Sequence, residues 1–150
     1  MGGCSQDADL VVTLGYGTEA FAIALSRQEP PTIEGSGGGF QGAGTTHTAF
    51  GLRIEGAELD LYDVLGAEIG VFEAHACTTQ GEVRSCEGVP WVASRTVLLG
   101  DGPPLNVVDG VVEEFGITAP MEREPGSFVV QAVVRDPCGR QGVTHHDFSL

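Results

Sequence analysis

Strict alternation of side-chain character is the feature that most constrains this chain. In THTAFGLRIE, Thr46, Thr48, Phe50, Leu52 and Ile54 alternate with His47, Ala49, Gly51, Arg53 and Glu55. A period of two is that of an extended strand with one face buried, and it cannot be laid on a helix without scattering the apolar groups around it. SFVVQAVVR repeats the pattern, with Phe128, Val130, Ala132 and Val134 on one side and Ser127, Gln131 and Arg135 among those on the other. The segment Asp136 to Gly139, DPCG, then has Pro second and Gly fourth, which predicts a reversal into GVTHHDFSL and a C-terminal hairpin. Further strands are expected at Leu10 to Leu14, Gly70 to Cys77, Trp91 to Leu99 and between Asn106 and Phe115. AFAIAL, from Ala20 to Leu25, reads as a short helix or an edge strand, and we favour the strand. About seven short strands separated by Gly/Pro loops predict an all-β fold, a sandwich of two antiparallel sheets.

A chain of 150 residues fits one domain with an ordinary core. No apolar run reaches the roughly 18 residues that a membrane-spanning helix requires. Twenty-one acidic against seven basic residues give a formal charge of -14, a field that repels nucleic acid and anionic headgroups. Lysine is absent, which removes Schiff-base and P-loop lysine chemistry.

Four cysteines need partners or roles. Cys77 and Cys86 bracket CTTQGEVRSC, and a hairpin tip closed by a disulfide accounts for the spacing; the alternative is two buried free thiols in a reducing compartment. The opening GGC followed by SQDAD resembles the end of the cleavage box of bacterial lipoprotein precursors, with Met1 a start placed after a trimmed apolar region. That resemblance implies lipidation at Cys4, with residues 1–8 as a flexible tether and residues 9–150 as the sandwich domain. The alternative pairs Cys4 with Cys138 or leaves it an exposed thiol.

PGSFVVQAVVRDPCGRQG resembles the penultimate hairpin of bacterial immunoglobulin-like and PKD-like domains, over less than a fifth of the chain. Together with LGYGTEAF and GGGFQGAGTTHTAFGLRIEG, it is similar in layout to small envelope lipoproteins of Gram-negative bacteria. The resemblance implies an immunoglobulin-like sandwich in the cell envelope, or secreted. The intersheet cystine of antibody domains is unmatched, because Cys77 and Cys86 are too close in sequence to join two sheets.

GGGFQG, Gly37 to Gly42, has the G-x-G-x-x-G spacing, but a strand rather than a helix follows, so a glycine-rich loop is the better reading. His47, His75, His145 and His146 are the candidate metal ligands, with His75 and Cys77 expected on one face of a strand and His145 and His146 on opposite faces. The acidic stretch Glu55 to Asp63, with Asp101 and Asp109, lacks ordered calcium-loop spacing and reads as solvated surface. Glu58 and Asp60 share a face without any cleft legible in sequence. The expectation is a non-enzymatic envelope lipoprotein without cofactor, a binding or structural module presenting its surface to a protein or glycan. The alternative is a periplasmic metal-binding protein using the histidines.

Overall fold

A computed structural model describes residues 9–31, 47–57, 64–81, 83–87, 92–100, 105–120 and 125–150. Its strands are β1 (Val11–Tyr16), β2 (Ala22–Ile23), β3 (His47–Glu55), β4 (Leu65–Glu73), β5 (Cys77–Gln80), β6 (Val83–Cys86), β7 (Val92–Leu99), β8 (Val107–Val108), β9 (Val111–Pro120), β10 (Ser127–Arg135) and β11 (Gln141–Ser149). One sheet has the order β2-β1-β3-β9-β8, a second β11-β10-β4-β7, and β5 with β6 forms a separate ribbon. Every pairing is antiparallel. The fold is the expected all-β sandwich.

Seven of these strands are long, and they are split as first, second and fifth in one sheet and seventh, sixth, third and fourth in the other. An immunoglobulin constant-type domain keeps its fourth strand at the end of the first sheet. Here that strand, β7, lies beside the third strand, β4.

The alternating rows meet in one core. Phe50, Leu52 and Ile54 from β3 join Ile69 and Val71 from β4, Phe128, Val130, Ala132 and Val134 from β10, and Leu14 from β1. Parity alone does not predict all burial. Ala49 and Gly51, on the outward side of β3, are buried as well. Phe21 causes this at Gly51: a methyl built there would meet the Phe21 ring at 2.8 Å, and one at Gly15 would meet it at 2.5 Å. Two glycines on neighbouring strands therefore form a slot for an aromatic ring. Arg53 caps that ring, 4.9 Å from its centroid, and is paired with Glu113 at 2.7 Å.

The sandwich closes along one side where β1 meets β11. The Leu10 amide donates to the Gln141 carbonyl at 3.2 Å, and a methyl at Gly142 would lie 2.5 Å from the Leu10 carbonyl oxygen.

The expected strand from Gly70 to Cys77 needs correction. β4 begins earlier and ends at Glu73, a 3-10 turn occupies Ala74–Ala76, and Cys77 opens β5. His75 and Cys77 do not share a strand face. The Asn106 to Phe115 region is a hairpin, β8 turning through Asp109 and Gly110 into β9. Ala20 to Leu25 contributes only the two-residue edge β2. Residues 1–8, including Cys4, and the glycine loop Gly37 to Gly42 lie outside the described residues, as do Glu58, Asp60 and Asp101.

Candidate functional site: a pocket at the end of the four-stranded sheet

Downstream of β2, the Gln28 amide donates to the Leu25 carbonyl at 2.9 Å, while the Gln28 side-chain oxygen accepts from the Leu25 amide at 2.9 Å. These bonds close a tight turn whose third residue is Arg27, at φ 59°. Left-handed backbone is the territory of Gly and Asn, because a β-carbon there crowds the following carbonyl. The turn is held on the sandwich by His146, whose Nε2–H donates to the Gln28 carbonyl at 2.8 Å and so fixes the imidazole tautomer.

His146 is itself held by packing. It points into the core from β11, contacts Tyr16 of the opposite sheet edge-on at 6.0 Å, and stacks with Phe148 at 6.5 Å, which stacks on Phe128 at 5.5 Å. The Tyr16 hydroxyl is buried without a hydrogen-bond partner among the described residues, and burial drives its pKa well above the ordinary tyrosine value. An aromatic column crossing both sheets thus sets where Arg27 stands.

Arg27 lines a pocket of about 260 Å³ together with Ala74, Ser127, Phe128, Asp147, Phe148 and Ser149. Phe128 and Phe148 are almost wholly buried and form its floor. The Ser127 and Ser149 hydroxyls lie 3.3 Å apart, on paired residues at the sheet's end. Asp147 is gripped by Arg84, whose Nη1 donates to one carboxylate oxygen at 2.8 Å and whose Nη2 donates to the other. That bidentate pair holds the Asp147 carboxyl below the usual carboxylate range, with the nearby Arg27 adding to the effect. It also folds the β5–β6 hairpin over the outer face of the sheet, where Phe72 and Val129 are buried. Beside Asp147 on that face, His145 Nε2 lies 3.0 Å from the Gln131 side-chain oxygen. Its pKa is lowered by burial first and by Arg84 second, against the opposing pull of Asp147.

Arg27 makes no hydrogen bond or ion pair among the described residues, whereas Arg53, Arg84 and Arg140 are each tied to a carboxylate. In a chain with three acidic residues for each basic one, that is an unusual position for a guanidinium.

The sequence-predicted sites fall elsewhere. Cys77 and Cys86 are bonded, as expected, across directly paired positions of the β5–β6 hairpin. Cys138 is also disulfide-bonded, in the turn expected from DPCG. The histidines are not assembled: His47 begins β3 in the other sheet, His75 sits in the exposed 3-10 turn 3.2 Å from Glu73, and His145 and His146 face opposite sides of β11. Among the described residues, no three His, Cys, Asp or Glu side chains are grouped to hold a metal ion. Sequence reasoning passed over Arg27, Ser127, Asp147 and Ser149. The available signal was the scarcity of basic residues, which makes each arginine worth tracing; the positive φ at Arg27 has no mark in the sequence.

The outer side of the five-stranded sheet and its rim carry exposed apolar groups at Val11, Ile23, Leu25, Val108 and Phe115. No helix among the described residues is long and apolar enough to cross a membrane.

No family model and no curated protein matches this chain. Among solved structures, the chain is similar to the N-terminal domain of PorA, with 91% of this chain and 96% of that domain aligned at 11% identity and a TM-score of 0.29. An overlap that loose carries no argument about this chain, and the two-sheet antiparallel fold rests on its own strand pairings.

Proposed function

We propose that this chain is a non-enzymatic binding module of the bacterial cell envelope, an immunoglobulin-like or PKD-like sandwich that offers the Arg27 pocket to a glycan. The carrying observation is the guanidinium of Arg27, unpaired among the described residues and held in a costly backbone conformation at the mouth of a pocket edged by Ser127, Asp147 and Ser149. Strained backbone is kept where the surroundings over-determine it, which is characteristic of ligand clamps. Asp147 has the character of a fixed counter-ion, since Arg84 stabilises its ionised form and disfavours proton donation near neutral pH. The bonded cysteines support an oxidising compartment. A protein partner is the second reading, and it rests on the exposed apolar side chains around the five-stranded sheet.

A lipid anchor on Cys4 and the disulfide at Cys138 exclude each other within one chain, and the bonded state of Cys138, with Cys77 and Cys86 joined to each other, favours the alternative that pairs Cys4 with Cys138. Cys4 is the only cysteine in the sequence besides Cys77, Cys86 and Cys138. A sulfur in thioether linkage to a lipid cannot also bond Cys138. Intact mass of the protein recovered from cells, without reductant, distinguishes the two: an acyl-glyceryl increment supports the anchor, and two disulfides within an unmodified chain exclude it.

The binding function is tested on a panel of immobilised oligosaccharides, with the wild-type chain and Arg27→Gln compared. Binding that the substitution removes supports the pocket. Absence of binding to every glycan, with apolar-face substitutions abolishing capture of a purified envelope protein, would transfer the function to the other sheet.

A further inference from the structure

We infer that the Arg27 pocket recognises an acidic sugar residue, a uronic acid, by its carboxylate and hydroxyls together. The inference rests on the glycan reading above and names the class of sugar.

Arg27 presents donors only, in a planar fork suited to a carboxylate. It has no acid to neutralise it among the described residues, although Asp147 lies near enough to feel its charge. Asp147 is already balanced by the bidentate Arg84, which stands outside the pocket lining, so the charge of Arg27 is left over at the wall. A local excess of positive charge, inside a chain of formal charge -14, selects an anionic group.

A simple anion would leave the rest of the wall unused. Each Asp147 oxygen has a lone pair beyond the one used by Arg84, and the Ser127 and Ser149 hydroxyls can both donate and accept. Sugar hydroxyls need a donor and an acceptor each, and this rim supplies both. The pocket, about 260 Å³, lies slightly below the usual range of roughly 300–1,000 Å³ for small-molecule sites and suits one sugar ring rather than a longer chain. The net charge of -14 works against nonspecific adhesion of an anionic ligand elsewhere on the surface.

The experiment is amide chemical-shift titration of the full chain with D-glucuronate, D-glucose and acetate. D-glucuronate is expected to shift amides at Arg27, Ser127 and Ser149. Arg27→Gln is expected to weaken it roughly tenfold or more, the loss of a charged hydrogen-bonding group. Ser127→Ala should weaken it by a smaller factor, and Arg135→Gln, at the far end of β10, should leave it unchanged. Melting curves verify that each variant is folded. Equal binding of D-glucose overturns the acidic-sugar inference while leaving a glycan site in place. Acetate binding as tightly as D-glucuronate also overturns it, because the hydroxyl rim would then contribute nothing. No response to any of the three sugars and anions overturns the inference and removes the pocket as a saccharide site.

Discussion

Asp136 is the most heavily used single side chain in the described structure. Its Oδ1 accepts from the Cys138 amide at 3.0 Å and the Arg140 amide at 2.9 Å, and its Oδ2 accepts from Arg140 Nε at 2.9 Å. Both Asp136 and Arg140 are buried. A buried pair adds little over an apolar substitute, but removing one partner strands the other charge. Asp136→Ala is therefore expected to cost about 3–5 kcal/mol in a denaturant titration, far beyond an ordinary turn substitution. DPCG was legible as a turn because Pro and Gly fix local backbone; the ion pair beneath it was not, since i and i+4 meet here through a reversal rather than a helix. The inward rows were equally legible. Phe50→Asp and Val130→Asp should each fail to give a cooperative melt near the wild-type temperature, because both side chains are completely buried.

At the scale of elements, alternation located the long strands and the hairpins, and it failed where the pattern breaks. In GVFEAHAC the apolar positions lose their period at Glu73, and the chain makes a 3-10 turn before resuming as β5. The hairpin that follows is fixed twice, by Cys77–Cys86 at its base and by Arg84–Asp147 to the sheet beneath. Replacing both cysteines with Ser should lower stability by about 2–3 kcal/mol in the chain-entropy account, and a thiol probe should label the wild-type pair only after reduction. Gly142→Ala tests the other junction. Backbone, rather than a flexible side-chain end, stands in the way of the new methyl, so a cost of about 1–3 kcal/mol is expected in thermal or chemical unfolding.

Over the whole molecule, acid acts through the same outer face of the four-stranded sheet. His145 has its folded pKa lowered from 6.5, so below that pH the unfolded chain takes up a proton that the native imidazole resists. Stability should fall as pH drops from about 6.5 toward the native value. Asp147, lowered from 3.8 by Arg84, contributes stability that is complete above that pH and is lost as pH falls further through its native value. Melting temperature should thus decline on acidification in two steps. His145→Gln should flatten the step below pH 6.5 and leave the lower one. The sandwich as a whole was legible from two alternating segments and their turns, whereas the pocket was not. Its walls come from a turn after β2, the 3-10 segment and both ends of the last hairpin, which nothing in the linear order brings together.

The join between Leu10 and Gln141 has a temporal meaning. The first strand finds one of its neighbours only once β11 has been made, and β4 likewise waits for β10. Assembly governed by such distant partners is slow, and the four-stranded sheet cannot close before β10 and β11 are available.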